Sequence, residues 1–514
     1  MKRRAFIQRL AATGMILPMT MGFPRVRAFA KSPAGSPFMR LAAGSSDRII
    51  VMIRLAGGND GLNTIVPYSN PEYYTARAEG EVFIRAEEVL KLPDSSTMGL
   101  HPALAPLYTL YQEKKVAIVQ NVGYPNQNLS HFRSTDIWLS GTDANVFENS
   151  GWYAKYLEQI NPDYPDILPT DPFAIELGTY LSNTLVGAKN NMGIAVSDLN
   201  YIPGQPADDP VANTNAGQEE EYVRQIMKQT NIFSNAILAA AAKQTTNKVT
   251  YPANNTIASA LSGIAKIIAG GLKTQMYIVN LSGYDTHSNQ ITQQANLHKT
   301  FADAVFAFQR DMEAFGLDKK VCVMTISEFG RRVTSNGTGT DHGSAAPLIV
   351  IGSSVQPGLI GNTPNLNDLE GAGNLKMQYD FRQVYASVLG QWFGAPDTDI
   401  VPHALPRQFE QLPIFLRQAS SVFENDNATA GMMLGQNYPN PAITTTTIPV
   451  DGILSGAEAR FVLSTVDGRE ILTERILPGQ SSIKIDVSTF PAGNYLYSIQ
   501  AGRQSQVRSM IIAH

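Results

Sequence analysis

Five short apolar runs rich in Ile and Val constrain this chain's fold more than anything else in it. They occupy residues 49–55, 116–122, 276–281, 320–326 and 347–351. Uninterrupted runs of this length are what strands covered on both faces look like. Longer segments with helical spacing lie between or after them, at 102–114, 219–243, 257–273, 295–315 and 381–393. Alternating β and α elements predict a sheet with helices on both faces. Ligands bind such sheets beyond the carboxyl ends of the strands. The chemistry is therefore to be sought in the loops just past each strand.

The loops at these ends share one kind of residue. The first strand is followed by Ala56-Gly57-Gly58-Asn59-Asp60-Gly61 and the second by Asn128-Leu129-Ser130-His131-Phe132-Arg133. The third leads into Ser282-Gly283-Tyr284-Asp285-Thr286-His287 and the fourth into Ser327-Glu328-Phe329-Gly330-Arg331-Arg332. Thr340-Asp341-His342-Gly343 stands just before the fifth. The chain has 7 histidines, and three of them, His131, His287 and His342, fall in these loops. Carboxylates gathered without a cation repel one another and raise one another's pKa, a cost that a divalent ion removes. Oxygen and imidazole donors suit zinc, manganese, iron or calcium according to geometry. Taken singly, each loop has a plainer reading: a glycine turn, a common Ser-His dipeptide, a helix cap at Asp285, a surface ion pair of Glu328 with Arg331 and Arg332, an ordered loop at Asp341-His342-Gly343. Taken together, they predict a metal site.

Composition closes off other classes. At 514 residues and roughly 150 per domain, more than one domain is expected. The 43% hydrophobic content is enough for packed cores. The first 30 residues hold six Lys or Arg and no Asp or Glu; without them 34 basic residues face 44 acidic ones, a net charge of −10. A chain that acidic is a poor partner for nucleic acid. A single cysteine, Cys322, inside a strand-like run, allows neither an intrachain disulfide nor a cysteine zinc site.

The two ends read as addresses. Met1-Lys2-Arg3-Arg4 precedes a short apolar run and Ala28-Phe29-Ala30, the pattern of a removable export signal over 1–30. The run is too short to span a bilayer, and no other segment reaches 18 consecutive apolar residues, so no transmembrane segment is expected in the mature form. Arg3-Arg4 ahead of Ala5-Phe6 looks like a twin-arginine signal, which implies the twin-arginine translocase and export to the periplasm of a folded protein. The core is expected over 46–418 and a small, polar linker over 419–431. Residues 432–514 then alternate like short strands, separated by turns such as Asp467-Gly468, and predict a small β-sandwich. The opening Asn437-Tyr438-Pro439-Asn440-Pro441 and the strand Gly493-Asn494-Tyr495-Leu496-Tyr497 resemble the type A sorting domain of the type IX secretion system. That resemblance implies passage through the outer membrane by the type IX machinery, to secretion or the cell surface.

The core also carries a resemblance. Gly57-Gly58-Asn59-Asp60-Gly61, Ser130-His131-Phe132, Gly283-Tyr284-Asp285-Thr286-His287, Ser327-Glu328-Phe329-Gly330-Arg331, Asp341-His342-Gly343 and Asp380-Phe381-Arg382 are similar to the secreted family called domain of unknown function 1501. Its relation to the alkaline phosphatase and sulfatase superfamily implies a three-layer α/β/α core and a site for two metals. By that relation Asp60 is a first-strand ligand, Ser130 the nucleophile, and Asp285, His287 and His342 the holders of one ion. Glu328 stands where the superfamily has Asp followed by His. Phe329 takes that histidine's place, and His131 is the residue that could supply the missing nitrogen.

These readings converge on a metal-dependent hydrolase of phosphate or sulfate esters at the cell surface. Asp60 and Glu328 would hold one ion, zinc first among the alternatives, and Ser130 would attack. Arg331 or Arg133 would bind the anion of a small or polymeric substrate. The other reading is a surface binding or scaffold protein that keeps the metal as a structural element. A serine-esterase elbow, a dinucleotide-binding fingerprint and the Cys/Ser-x-Pro-x-Arg segment of the usual sulfatases do not occur in the sequence.

Overall fold

The structure is a computed structural model. It describes residues 47–197, 214–395, 403–416 and, apart from short breaks, 433–513. The expected signal over 1–30 and the linker over 419–431 lie outside the described residues. Two compact units result, one ending at Leu416 and the other holding the C-terminal strands.

The first unit is built on β1 (Ile49–Ala56), β2 (Val116–Gly123), β3 (Ala174–Leu177), β4 (Ile194–Val196), β5 (Met276–Ser282) and β6 (Val321–Ile326). A hairpin, β7 (Arg331–Ser335) and β8 (Thr340–His342), precedes β9 (Ala346–Ile351), β10 (Gly358–Ile360) and β11 (Tyr379–Asp380). The main sheet runs β10-β2-β9-β6-β1-β5-β3-β4, with β11 also beside β2. β1 lies parallel between β5 and β6, with Arg54 level with Asn280 on one side and Ile326 on the other. The three loops beyond β1, β5 and β6 therefore emerge side by side.

β9 departs from the parallel expectation: it is antiparallel to both β2 and β6. The residues between it and β6 form the β7–β8 hairpin and contain no helix, whereas a parallel return usually crosses over through one. The short strands β3 and β4 carry no run long enough to stand out in the sequence.

Both faces of the sheet are covered. Val51 and Ile53 pack with Leu261 and Ile264 of α5 (Thr256–Ala269) and Phe301 and Val305 of α6 (Gln290–Phe315). Ile50 and Met52, pointing the other way along the same strand, are also fully buried. Stacked rings bind a further helical layer: Trp138 of α2 (His131–Ser140) on Phe381, and Trp152 of α3 (Trp152–Ile160) on Tyr385. Phe381 and Tyr385 belong to α7 (Phe381–Ser387), which Asp380 starts with a capping box to Gln383. This is the α/β/α architecture expected. Cys322 is a buried core residue.

The core also holds two uncharged imidazoles. Burial carries His101 down from 6.5 to about 4 against the pull of Asp60, and carries His298 well below its usual value, with His101 adding to the effect. The unfolded chain binds protons at these sites below pH ~6.5 that the folded core refuses. Stability is thus complete above that pH and declines as pH falls toward 4, by on the order of 3 kcal/mol for His101 alone. All three tryptophans, Trp138, Trp152 and Trp392, lie in this unit, so their fluorescence reports its unfolding. Urea titrations with chelator at pH 7.5 and 5 should show the loss, and His101→Asn should reduce it; equal midpoints would refute the assignment.

The second unit consists of antiparallel strands: β12 (Met433–Leu434), β13 (Thr445–Asp451), β14 (Ala459–Thr465), β15 (Glu470–Ile476), β16 (Ser482–Asp486), β17 (Gly493–Ala501) and β18 (Gln504–Ile512). They form sheets β12-β13-β16 and β15-β14-β17-β18. Ile448, Ile483 and Ile485 from the first share one core with Phe461, Tyr497 and Met510 from the second. The Tyr497 hydroxyl accepts the Asn437 amide at 2.9 Å and donates to the Gly435 carbonyl at 3.0 Å. It thereby ties together the two stretches that stand out in the sequence.

Candidate metal centre

The glycines after β1 let three loops meet. Gly57 has φ +125°, and a Cβ there would sit 2.3 Å from the Asp285 amide nitrogen. Gly58 has φ +81°, and its Cβ would enter the Phe329 ring. Only glycine adopts these angles while allowing such an approach. The Gly57 amide donates to Glu328 Oε1 at 2.8 Å, so the β1 loop is latched to the end of β6.

Four side chains converge beside this latch. Asp285 Oδ1 lies 3.1 Å from both His287 Nε2 and His342 Nε2, which are 3.0 Å from each other. His131 Nε2 stands 3.4 Å from Asp285 Oδ2. His131, Asp285 and His342 offer ligand atoms all within 4.8 Å of one another. Each ring is oriented through its other nitrogen: His131 Nδ1 by Glu328 Oε1 at 2.9 Å, and His342 Nδ1 by the Leu129 carbonyl at 2.8 Å. His287 Nδ1 faces Asp341 Oδ1 at 3.5 Å. An imidazole whose Nδ1 proton is given to such an acceptor presents a bare lone pair at Nε2. Three Nε2 atoms thus converge on one carboxylate, and His131 Nε2 is buried with no hydrogen-bond partner.

That arrangement fits a cation. Donors 2.0–2.1 Å from a tetrahedral zinc stand about 3.3 Å apart, close to the separations observed here. Burial disfavours the charge on Asp285, yet the Arg331 guanidinium bonded to it holds its carboxyl down at about 2. Burial also lowers His342, keeping its imidazole unprotonated. The Asp285 side chain is 48% exposed and that of His287 44%, so one side of the cluster is open to solvent. Phe329, itself buried, packs its ring 4.9 Å from His131 and 4.5 Å from His342, forming an apolar floor beneath the two imidazoles.

The remaining residues singled out in the sequence occupy other positions. Glu328 is 4% exposed and, as the partner of His131 Nδ1 and the Gly57 amide, stands behind a ligand; it forms no surface ion pair with Arg331. Its Oε2 is buried without a partner. Asp60 does not join the cluster. Its oxygens accept from Arg77, from Gln290 at the start of α6 and from the Leu62 amide, which leaves little for a metal.

Neither arginine chosen as an anion binder is free for that role. Arg331 is buried and donates to the Gly58, Thr340 and Tyr284 carbonyls and to Asp285, which it holds in place. It faces His342 directly across the β7–β8 hairpin. Arg133 is turned to the Ala144 and Val146 carbonyls and stacks on Phe147 at 3.8 Å. Ser130 is exposed at the N-cap of α2, between Leu129 and His131, whose partners are His342 and Glu328.

The cluster opens on a cleft of about 500 Å³ lined by Arg54, Gly57, His131, Asp136, Asp285 and Glu328, among others. Arg54 and Arg77 escape sequence reasoning. One sits within an apolar run and the other in a stretch with no strand-end signal; only β pairing and long-range contact reveal them. No helix among the described residues is long and apolar enough to cross a membrane.

No curated protein matches the sequence. Solved structures similar to it include an alkaline phosphatase superfamily protein from Vibrio parahaemolyticus (TM-score 0.31, 9% identity, 94% of this chain and 88% of that one). A sulfatase from Pseudoalteromonas sp. gives a TM-score of 0.31 at 10% identity, covering 88% of each chain. An alkaline phosphatase from the Antarctic bacterium TAB5 gives 0.28 at 10%, covering 60% of this chain and 92% of that one. Residues 187–404 match the family described as protein of unknown function (DUF1501), and residues 436–513 match the secretion system C-terminal sorting domain.

Proposed function

We propose that this protein is a metal-dependent hydrolase of phosphate or sulfate esters that works outside the cell. One observation carries the reading: three imidazoles, each fixed through Nδ1, aim Nε2 at Asp285 in a solvent-open cluster beyond the strand ends. His131, Asp285, His287 and His342 would hold one cation. Three nitrogens and a carboxylate suit zinc or iron better than calcium, which takes oxygen ligands. Bound there, the ion would neutralise charge on a phosphoryl or sulfuryl oxygen. Ser130, exposed beside His131, is the nucleophile. Arg331 acts by holding Asp285. The sorting domain supports delivery by the type IX machinery to secretion or the cell surface, and the Arg3-Arg4 segment supports twin-arginine export of a folded, metal-loaded chain.

One feature favours the scaffold reading. Asp60, which the resemblance makes a ligand of a second ion, is saturated by Arg77, Gln290 and Leu62. Assay of the purified protein on phosphate mono- and diesters and sulfate esters, with metal content measured in parallel, separates the two. The hydrolase reading expects Ser130→Ala to lower turnover on the order of a thousandfold or more while metal is retained. Full metal content without turnover on the whole panel would leave the scaffold reading standing.

A further inference from the structure

We infer that Arg54 is the residue that receives the oxyanion group of the substrate, an inference that rests on the hydrolase reading above. Along β1, Ile50 and Met52 are fully buried on one face of the sheet, and Arg54 continues the same face at the mouth of the cleft. A guanidinium there replaces an apolar side chain at a cost in desolvation that a partner must offset. Arg54 makes no hydrogen bond to the described residues, and its Nε is buried and unsatisfied. The neighbouring carboxyl that feels its charge, Glu176, is itself buried, and its Oε2 accepts the Ser182 amide at 2.7 Å. Burial pushes the Glu176 carboxyl up, which weakens it as a counter-ion.

The same cleft is lined by His131 and Asp285 of the proposed metal centre. An oxyanion bridging that centre and Arg54 would supply the missing acceptor for a planar, multi-donor fork. By contrast, Arg331 has its donors committed to carbonyls and to Asp285, and neither it nor Arg133 lines the cleft. Arg54 thus takes the place that the sequence alone assigned to them. The substrate class is then an ester whose oxyanion can reach both the cluster and the end of β1.

The test is calorimetric titration of the full-length protein with inorganic phosphate and with inorganic sulfate, alongside Arg54→Gln and Arg54→Lys, with metal content and thermal unfolding measured for each. Arg54→Gln should retain metal and bind the anions roughly ten- to a hundredfold more weakly. Arg54→Lys, which keeps the charge but loses the fork, should fall between. Unchanged affinity in Arg54→Gln would overturn the assignment, as would a metal-replete wild type that binds neither anion. A wild type that holds no metal yet loses anion binding in Arg54→Gln would instead sink the metal-centre reading and keep Arg54 as the anion residue.

Discussion

Asp285→Ala should reduce metal affinity by at least a hundredfold and make hydrolysis undetectable, while the fold survives. Asp285 is the group on which three imidazole nitrogens and Arg331 Nη2 converge, at 2.6–3.4 Å. Its removal takes away the anionic donor and leaves imidazoles with nothing between them. The side chain is 48% exposed, so no large cavity results. Glu328→Gln is the informative contrast. It retains an acceptor for the Gly57 amide but alters the partner that fixes His131, and outer partners of this kind are worth roughly 10–100-fold in metal affinity. Affinity in each variant should also fall as the pH is lowered and protons compete for the imidazoles. Competition titrations against a chelator measure both effects. Stoichiometric metal at unchanged affinity in Asp285→Ala would place the ion elsewhere.

How much of this is legible in the sequence depends on the range of the physics. The strands over 49–55, 116–122, 276–281 and 320–326 are legible because burial on both faces writes a local apolar run. The loops carrying His131, Asp285, His287 and His342 are legible because polar residues at strand ends are out of keeping with their neighbours. Who faces whom is not legible. Glu328 and Asp60 look alike as carboxylates near a strand end. One proves to orient a histidine and the other to lie in a buried ion pair, because Gly57 and Gly58 fold the β1 loop back against Asp285 and Phe329. Arg54 is hidden in the apolar run itself. β9 runs against the parallel expectation because the connection before it folds as a hairpin and supplies no crossover helix.

The Asp60–Arg77 pair yields the second large effect, on stability and on the site together. Both side chains are essentially inaccessible, 1% and 0% exposed. Arg77→Met removes the guanidinium but leaves a buried carboxylate with only Gln290 and the Leu62 amide as donors. Breaking one side of such a pair typically costs about 3–5 kcal/mol, because the surviving charge is left uncompensated. The double variant Asp60→Asn/Arg77→Met removes both charges and should recover part of the loss. Arg77 also donates to the Arg332 and Val333 carbonyls of β7, the strand whose hairpin carries His342, so metal affinity should weaken with stability. Tryptophan-monitored urea unfolding gives the first quantity and chelator competition the second. If Asp60 were a ligand of a second ion, as the family resemblance implies, the wild type would bind two equivalents of metal and Asp60→Asn would bind one. If Asp60 is instead an internal counter-ion, the wild type binds one equivalent, Asp60→Asn still binds one, and what changes is how firmly the β1 and β7 loops are held around it.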